Sequence, residues 1–356
     1  MALPEYYEAS RTSLAYAIGT TDLTAWRNGD AALVVGELNS LDGWRGGYVT
    51  ETDPIYEDFN APPGNSYYDK LLKGRTLGQI TGGFYFQSGI LAYIVGGVCT
   101  TVDGSPDTHT MALTTANISN SPIRSAFHFE KETSSGNIEK ITDCLGVAGT
   151  SLTISCSEKD PIARQDFAAN FAYSKTGSDV AVPDHLTLSA NKPYNWFDLQ
   201  NGGITVTYNG TDLAFNVVGV SHSLARTAQF ERPDANAYPQ SARYIPPFEI
   251  PVTLRVRPYD SASDQSIWAI KETTLTASAY AAGDLDLQLY YKESASRECK
   301  FTYDKMYMDP NFKLVIQSGM DSWYDEYEIN FYPIGSSSSL TIYEENELPT
   351  TYYEND

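Results

Sequence analysis

Hydrophobic and polar positions alternate through long stretches of this chain. The clearest stretch runs from Thr150 to Ser174, "TSLTISCSEKDPIARQDFAANFAYS". In its first half Ser151, Thr153, Ser155 and Ser157 fall on one side, and Leu152, Ile154 and Cys156 on the other. In its second half Phe167, Phe171 and Tyr173 share a side, with Asp166, Asn170 and Ser174 opposite. A period of two marks a strand with one buried face. The stretch therefore predicts two strands around a charged turn, with a polar face of small side chains that reads as free of bases.

The pattern returns between residues 217 and 257. In "FEIPVTLRVRPYD" Phe248, Ile250, Val252, Leu254 and Val256 face one way, and Glu249, Thr253, Arg255 and Arg257 the other. In the preceding "VVGVSHSLARTAQ", Ser221 and Ser223 take the polar side. Strands are also expected in "THTMALTT", "RSAFHFEKET", "TLTAS", "LDLQLYYK", "CKFTYDKMYM", "NFKLVIQ", "YDEYEINFYPI" and "SLTIYEE". Asn209-Gly210 signals a two-residue hairpin turn. "ITGGFYFQSGILAYIVGG" predicts a strand and then a short helix on a sheet, with Ile90 and Ile94, and Leu91 and Val95, spaced i, i+4. It is the one helix expected in the front half.

The remaining stretches read as connections. Residues 1–75 suggest an N-terminal arm and loops with short strands. "GRTLGQITGG" reads as turns flanking a strand, and "DVAVPDHLTLSANKPYNWFDLQNGG" as a loop. Residues 228–247, polar and Pro-rich, predict an inserted loop in a β domain spanning 76–345. Residues 346–356 form an acidic tail.

Composition narrows the function. With 356 residues and 42% hydrophobic content the chain can bury a large core. Its net charge of −21, from 45 acids and 24 bases, opposes binding of nucleic acid by phosphate neutralisation. Cys99, Cys144, Cys156 and Cys299 form no C-x-x-C pair, and free buried thiols are expected. No basic segment followed by an apolar core opens the sequence, so no secretory leader is expected. The run "GILAYIVGGV" is too short to span a bilayer.

Candidate chemistry is sparse. His109, His128, His185 and His222 lie in no zinc-ligand spacing, and His128 and His222 read as satisfied core or interface histidines. No nucleophile elbow, P-loop or dinucleotide fingerprint occurs. Asp284 with Asp286, or Glu326 with Glu328, could be drawn as a glycosidase pair, but so acidic a chain supplies such pairs by chance. "DGSPDT" lacks EF-hand spacing. Neither catalytic residues nor a metal or cofactor is expected.

The order of elements resembles the major tail tube protein of long-tailed bacteriophages and archaeal tailed viruses. The likeness rests on "GRTLGQITGGFYFQSGILAYIVGG", "SPIRSAFHFEKE", "ITDCLGVAGTSLTISCSEKDPIARQDFAANFAYSKTG", "KPYNWFDLQNGGITVTYNG", "VVGVSHSLARTAQ" and "PFEIPVTLRVRP", in that order, over about residues 74–260. It implies a mainly β subunit, a β-sandwich with one flanking short helix. Two long hairpins would join those of neighbours into an inter-subunit β-barrel. Six subunits would form a ring, and stacked rings a hollow tube in the virion tail, assembled in the host cytoplasm. The partners implied are other copies of the chain and the tail terminator, tape-measure and distal tail proteins. Viral DNA would pass through without specific binding.

Under that resemblance Ser151, Thr153, Ser155, Ser157, Asp166, Asn170, Ser221, Ser223, Glu249 and Thr253 line the channel. Closing a barrel between subunits removes exposed strand edges, and a hydroxyl and acidic wall attracts little phosphate. Arg255 and Arg257 cut against this, unless acids pair with them or they lie beyond the rim. Other readings stay open: another tail-assembly protein, an extracellular β-sandwich adhesin or carbohydrate-binding module with Trp196, Trp268 and Trp323 exposed, and an enzyme.

Overall fold

The computed structural model of the chain describes residues 7–19, 39–40, 44–52, 55–57, 71–73, 77–96, 100–102, 106–114, 124–133, 138–175, 192–213, 216–231, 241–257, 285–309, 311, 313–315, 326–333 and 339–346. The fold is mainly antiparallel β. Its first strands are β1 (Tyr7–Gly19), β2 (Asn39–Ser40), β3 (Trp44–Thr52), β4 (Ile55–Glu57), β5 (Leu71–Lys73) and β6 (Leu77–Tyr85). Helix α1 (Ile90–Gly96) follows, then β7 (Thr100–Val102), β8 (Asp107–Thr114), β9 (Arg124–Thr133), β10 (Ile138–Ser157), β11 (Arg164–Phe171) and β12 (Tyr173–Lys175). After helix α2 (Trp196–Gly202) come β13 (Gly203–Tyr208), β14 (Thr211–Leu213), β15 (Val217–Glu231), β16 (Ser241–Glu249) and β17 (Val252–Val256). The chain continues through β18 (Leu285–Ser294), β19 (Arg297–Met308), β20 (Lys313–Val315), β21 (Glu326–Pro333) and β22 (Ser339–Asn346).

All strands except the β4–β5 pair belong to one connected network. One run orders β3, β6, β11, β10, β15, β17 and β21 side by side. A second orders β7, β8, β22, β19, β18, β13 and β14. They join where Met306–Met308 of β19 pairs with β21. Traced pair by pair among the described residues, the ladders branch and end without returning to their starting strand.

The apolar sides of the two runs meet over a common core. Phe86 packs on Tyr291 and Phe301 at 5.1 and 6.0 Å between ring centroids. His222 of β15 lies 2.7 Å, through Nδ1, from the Tyr303 hydroxyl of β19. Phe84 packs edge-on against Phe167, at 6.4 Å. His222 is thus a satisfied core histidine, as its strand position predicts. Cys144, Cys156 and Cys299 are buried free thiols.

Strand β10 serves two layers. Its first half pairs with β9 and β12, residues 148–155 pair with β11 and residues 151–157 with β15, with a register shift against β11 between Gly149 and Ser151. Helix α1 presses on this junction. A Cβ at Gly149 would sit 2.9 Å from the Ile94 carbonyl oxygen, so only glycine admits this approach. All of α1 is buried, as an all-apolar helix requires, rather than lying on a sheet with one face out. Its ends are satisfied from the core: Gly89 N–H donates to Glu344 Oε2 at 2.8 Å, and Arg226 donates to the Gly96 carbonyl. Both charges complement the helix dipole.

Several expected loops are ordered elements. Residues 7–19 and 44–52 are long strands, and β3 pairs with β6 across the expected boundary near residue 75. Of "GRTLGQITGG", read as turns flanking a strand, residues 77–83 are all strand, with Gly82 and Gly83 inside β6 where the second turn was expected, and residues 74–76 lie outside the described residues. Pairing of β15 with β16 runs through both ends of 228–247, leaving 232–240 between them. The stretch read as a loop at 179–203 contains α2. It is started by a capping box: Asn195 Oδ1 accepts from Phe197 and Asp198 N–H, while Asp198 Oδ2 accepts from Asn195 N–H. Asn209 and Gly210, both at positive φ, make the expected tight turn. Ile250 and Pro251 interrupt the expected continuous strand, yet burial alternates through it unbroken. Cys99, His185, Trp268, Asp284, Trp323, "TLTAS", Asp103 of "DGSPDT" and residues 347–356 lie outside the described residues, as do the side chains of His128 and Tyr173.

Candidate functional site

The sequence pattern of β6, β11, β10, β15 and β17 puts apolar side chains toward the core and short polar ones outward. Cross-strand register aligns them in rows. Ser155 faces Arg164 of β11 on one side and Ser221 of β15 on the other, and Ser221 faces Thr253. Thr153 lies between Asp166 and Ser223. Ser151 lies between Ala168 and Ala225, and Ala225 faces Glu249. Ser157 faces Gly219, which faces Arg255. Asn170 continues the β11 row opposite Ala148.

All ten residues expected from the sequence to line a channel thus share one sheet face, each of them half-buried or exposed. Beneath them Leu152, Ile154, Phe167, Phe171, Leu224, Val252 and Leu254 are buried. The hydroxyls partly satisfy one another. Thr153 Oγ1 lies 2.9 Å from Ser223 Oγ, and Thr253 Oγ1 donates to Asn330 Oδ1 at 2.7 Å. Because these side chains are short, the sheet surface holds an open concavity of about 420 Å³, lined by Ser155, Ser157, Asp160, Ser221, Thr253 and Arg255 among others.

One finding corrects the sequence reading, and a second decides between alternatives it left open. The hairpin face is not free of bases, because β11 begins at Arg164, on the same side as Asp166. Its Nη2 is 3.0 Å from Asp160 Oδ1. Arg255 and Arg257, at the β17 side of this face, are paired with acid. Glu326, only 2% exposed, lies 2.8 Å through Oε1 from Arg257 Nη2 and 3.8 Å through Oε2 from Arg255 Nε. Glu158 lies 3.5 Å from Arg257.

Among the described residues, the groups that could be drawn into a hydrolytic site are otherwise engaged or lie off this face. His222 is on the opposite side of β15, where burial holds its pKa down at about 3. Burial pushes the Cys156 thiol up to about 12, away from thiolate chemistry. Glu326 is committed to arginines, and Asp286 is exposed and accepts the Lys305 N–H at 3.0 Å, so neither forms the cleft pair that glycoside hydrolysis needs. No cluster of three potential metal ligands occurs among the described residues, and no described helix is long and apolar enough to cross a membrane. Trp196 is buried and offers no ring for sugar stacking. No protein-family model matches the chain, and no curated protein matches it.

Proposed function

We propose that this chain is the subunit of a viral tail tube, polymerising as stacked hexameric rings around a channel that conducts viral DNA. The carrying observation is the continuous face of Ser151, Thr153, Ser155, Ser157, Ser221, Ser223 and Thr253 over an apolar underside. Water-compatible, small and weakly charged groups suit a wall past which a polyanion slides. Strand direction also favours a ring. In the antiparallel run β3, β6, β11, β10, β15 and β16 every neighbour reverses direction. With an even number of strands, rotation about an axis along them brings β3 of one copy antiparallel to β16 of the next. Such a seam extends the ladder and shields edges that otherwise invite aggregation. The DNA and the other tail proteins would be met only in that assembled state.

Negative-stain microscopy of the purified protein over a range of concentration and salt tests the reading. Rings or tubes of uniform width are expected. A monomer under every condition, together with absence of the protein from virion tails, would overturn it.

A further inference from the structure

We propose that Asp160 and Glu326 are charge-masking residues: they hold Arg164 and Arg255 of the polar face so that neither is offered to a nucleic-acid phosphate. The inference rests on reading that face as the wall of a DNA conduit. Arg164 and Arg255 are both substantially exposed, at 39% and 45% of their side chains. They stand in adjacent rows at the hairpin-tip end, on either side of the Ser155, Ser157 and Ser221 hydroxyls. In a ring each would recur in every subunit, and each phosphate neutralised adds to binding in a salt-dependent way.

Both masks are built into the fold. Asp160 is fixed by a turn closed twice on Ser157: the Ser157 N–H donates to the Asp160 carbonyl, and the Asp160 N–H donates to Ser157 Oγ, each at 3.0 Å. That turn sets the carboxylate against Arg164, four residues on. Glu326 is buried between Arg255 and Arg257, and Glu328 stands directly opposite Arg255 in the ladder. Glu158 adds a second acid to Arg257. Arg164, Arg255 and Arg257 thus each meet a carboxylate, while the exposed Arg45 at the β6 side lies over the Tyr85 ring, at 5.3 Å.

Binding of a short fluorescent DNA duplex across a salt series tests this. Asp160→Asn, at an exposed position, should bind the duplex several-fold more tightly at low salt, with the log–log salt slope steeper by about one for each additional phosphate neutralised. The double variant Asp160→Asn/Arg164→Gln should return to wild type. Asp212→Asn, which removes one charge from a hairpin outside the face, should change nothing. Arg255→Gln alone should also leave binding unchanged, since Arg255 is already masked. Wild-type binding by Asp160→Asn would overturn the proposal. So would a double variant as adhesive as Asp160→Asn, or weaker binding in Arg255→Gln. Microscopy of the same samples separates the two readings. Tubes without an Asp160→Asn effect refute masking alone, and the full binding pattern in a protein that stays monomeric and is absent from virion tails refutes the conduit alone.

Discussion

Two outward faces of this molecule obey the same period of two over one shared core, yet they are furnished differently. On the outer face of β18, β19 and β22, Tyr290, Lys300 and Tyr343 stand in one cross-strand row, and Lys292, Glu298 and Glu345 in the next. The long side chains lie across one another. Lys300 Nζ is 5.6 Å from the Tyr290 ring centroid and 5.4 Å from that of Tyr343, and the Tyr343 hydroxyl donates to Glu345 at 2.9 Å. On the face of β10, β11 and β15 the corresponding rows hold serine and threonine and leave a concavity. Serine is no favoured strand residue. A row of Ser151, Ser155 and Ser157 therefore points to a demand for space rather than to local preference. A face that meets bulk water can be filled, and a face that bounds a passage has to be left open.

The contrast is broken most severely from underneath, because both faces depend on the same core. Phe171→Asp buries an unpaired charge and should cost several kcal/mol, read as loss of soluble folded protein or a collapsed denaturation midpoint. Ser155→Asp, one face away, should stay within about 0.5 kcal/mol of wild type. The opposite ranking would mean that the register of β10 and β11 is displaced by one residue.

A smaller effect comes from the link between the two runs. His222 joins β15 to Tyr303 of β19 and is kept neutral by burial, with a folded pKa of about 3. In the unfolded chain it titrates near about 6.5. Between these values the unfolded state binds the extra proton, so its contribution is intact above the upper value. Stability then falls as pH drops through the window, by up to about 1.4 kcal/mol per unit. Burial also lowers the pKa of His109, which acts in the same direction. His222→Gln should be less stable at neutral pH but show a shallower decline between about pH 6 and 4. An unchanged slope in thermal melts would show that His222 is not the titrating group.

What could be read from the sequence follows from the range of each interaction. The faces of β10, β11 and β17 were legible because alternation is local, and Asn209-Gly210 because the turn is two residues long. Helix α2 carried a local signal too, Asn195 and Asp198 at capping-box spacing, hidden by the polar loop before it. Strands β1 and β3 were hidden because their order comes from distant partners: β1 pairs with β9, and β3 with a glycine-rich β6. In the site, Arg164 was lost to the charged turn although it shares the parity of Asp166. The Arg257–Glu326 pair spans 69 positions, and no spacing rule anticipates it.

The smallest effect is the most direct test of the contrast, an exchange of character between the two faces. Lys300→Ser removes the ammonium that sits near both Tyr290 and Tyr343 and loosens the row. Exposed cation–ring pairs of this kind are worth about 0.5–1 kcal/mol, so a loss of that order is expected in urea denaturation. Ser155→Tyr adds a ring to the other face at the edge of the concavity. If that space is open, the ring finds room without displacing its neighbours, and stability should change by less than about 0.5 kcal/mol. If the chain forms the tubes proposed above, the same variant should narrow their passage, seen as reduced central stain penetration. If Ser155→Tyr instead costs more than Lys300→Ser, the concavity is occupied in solution by a segment of the chain, and the hydroxyl face is an internal contact rather than a wall.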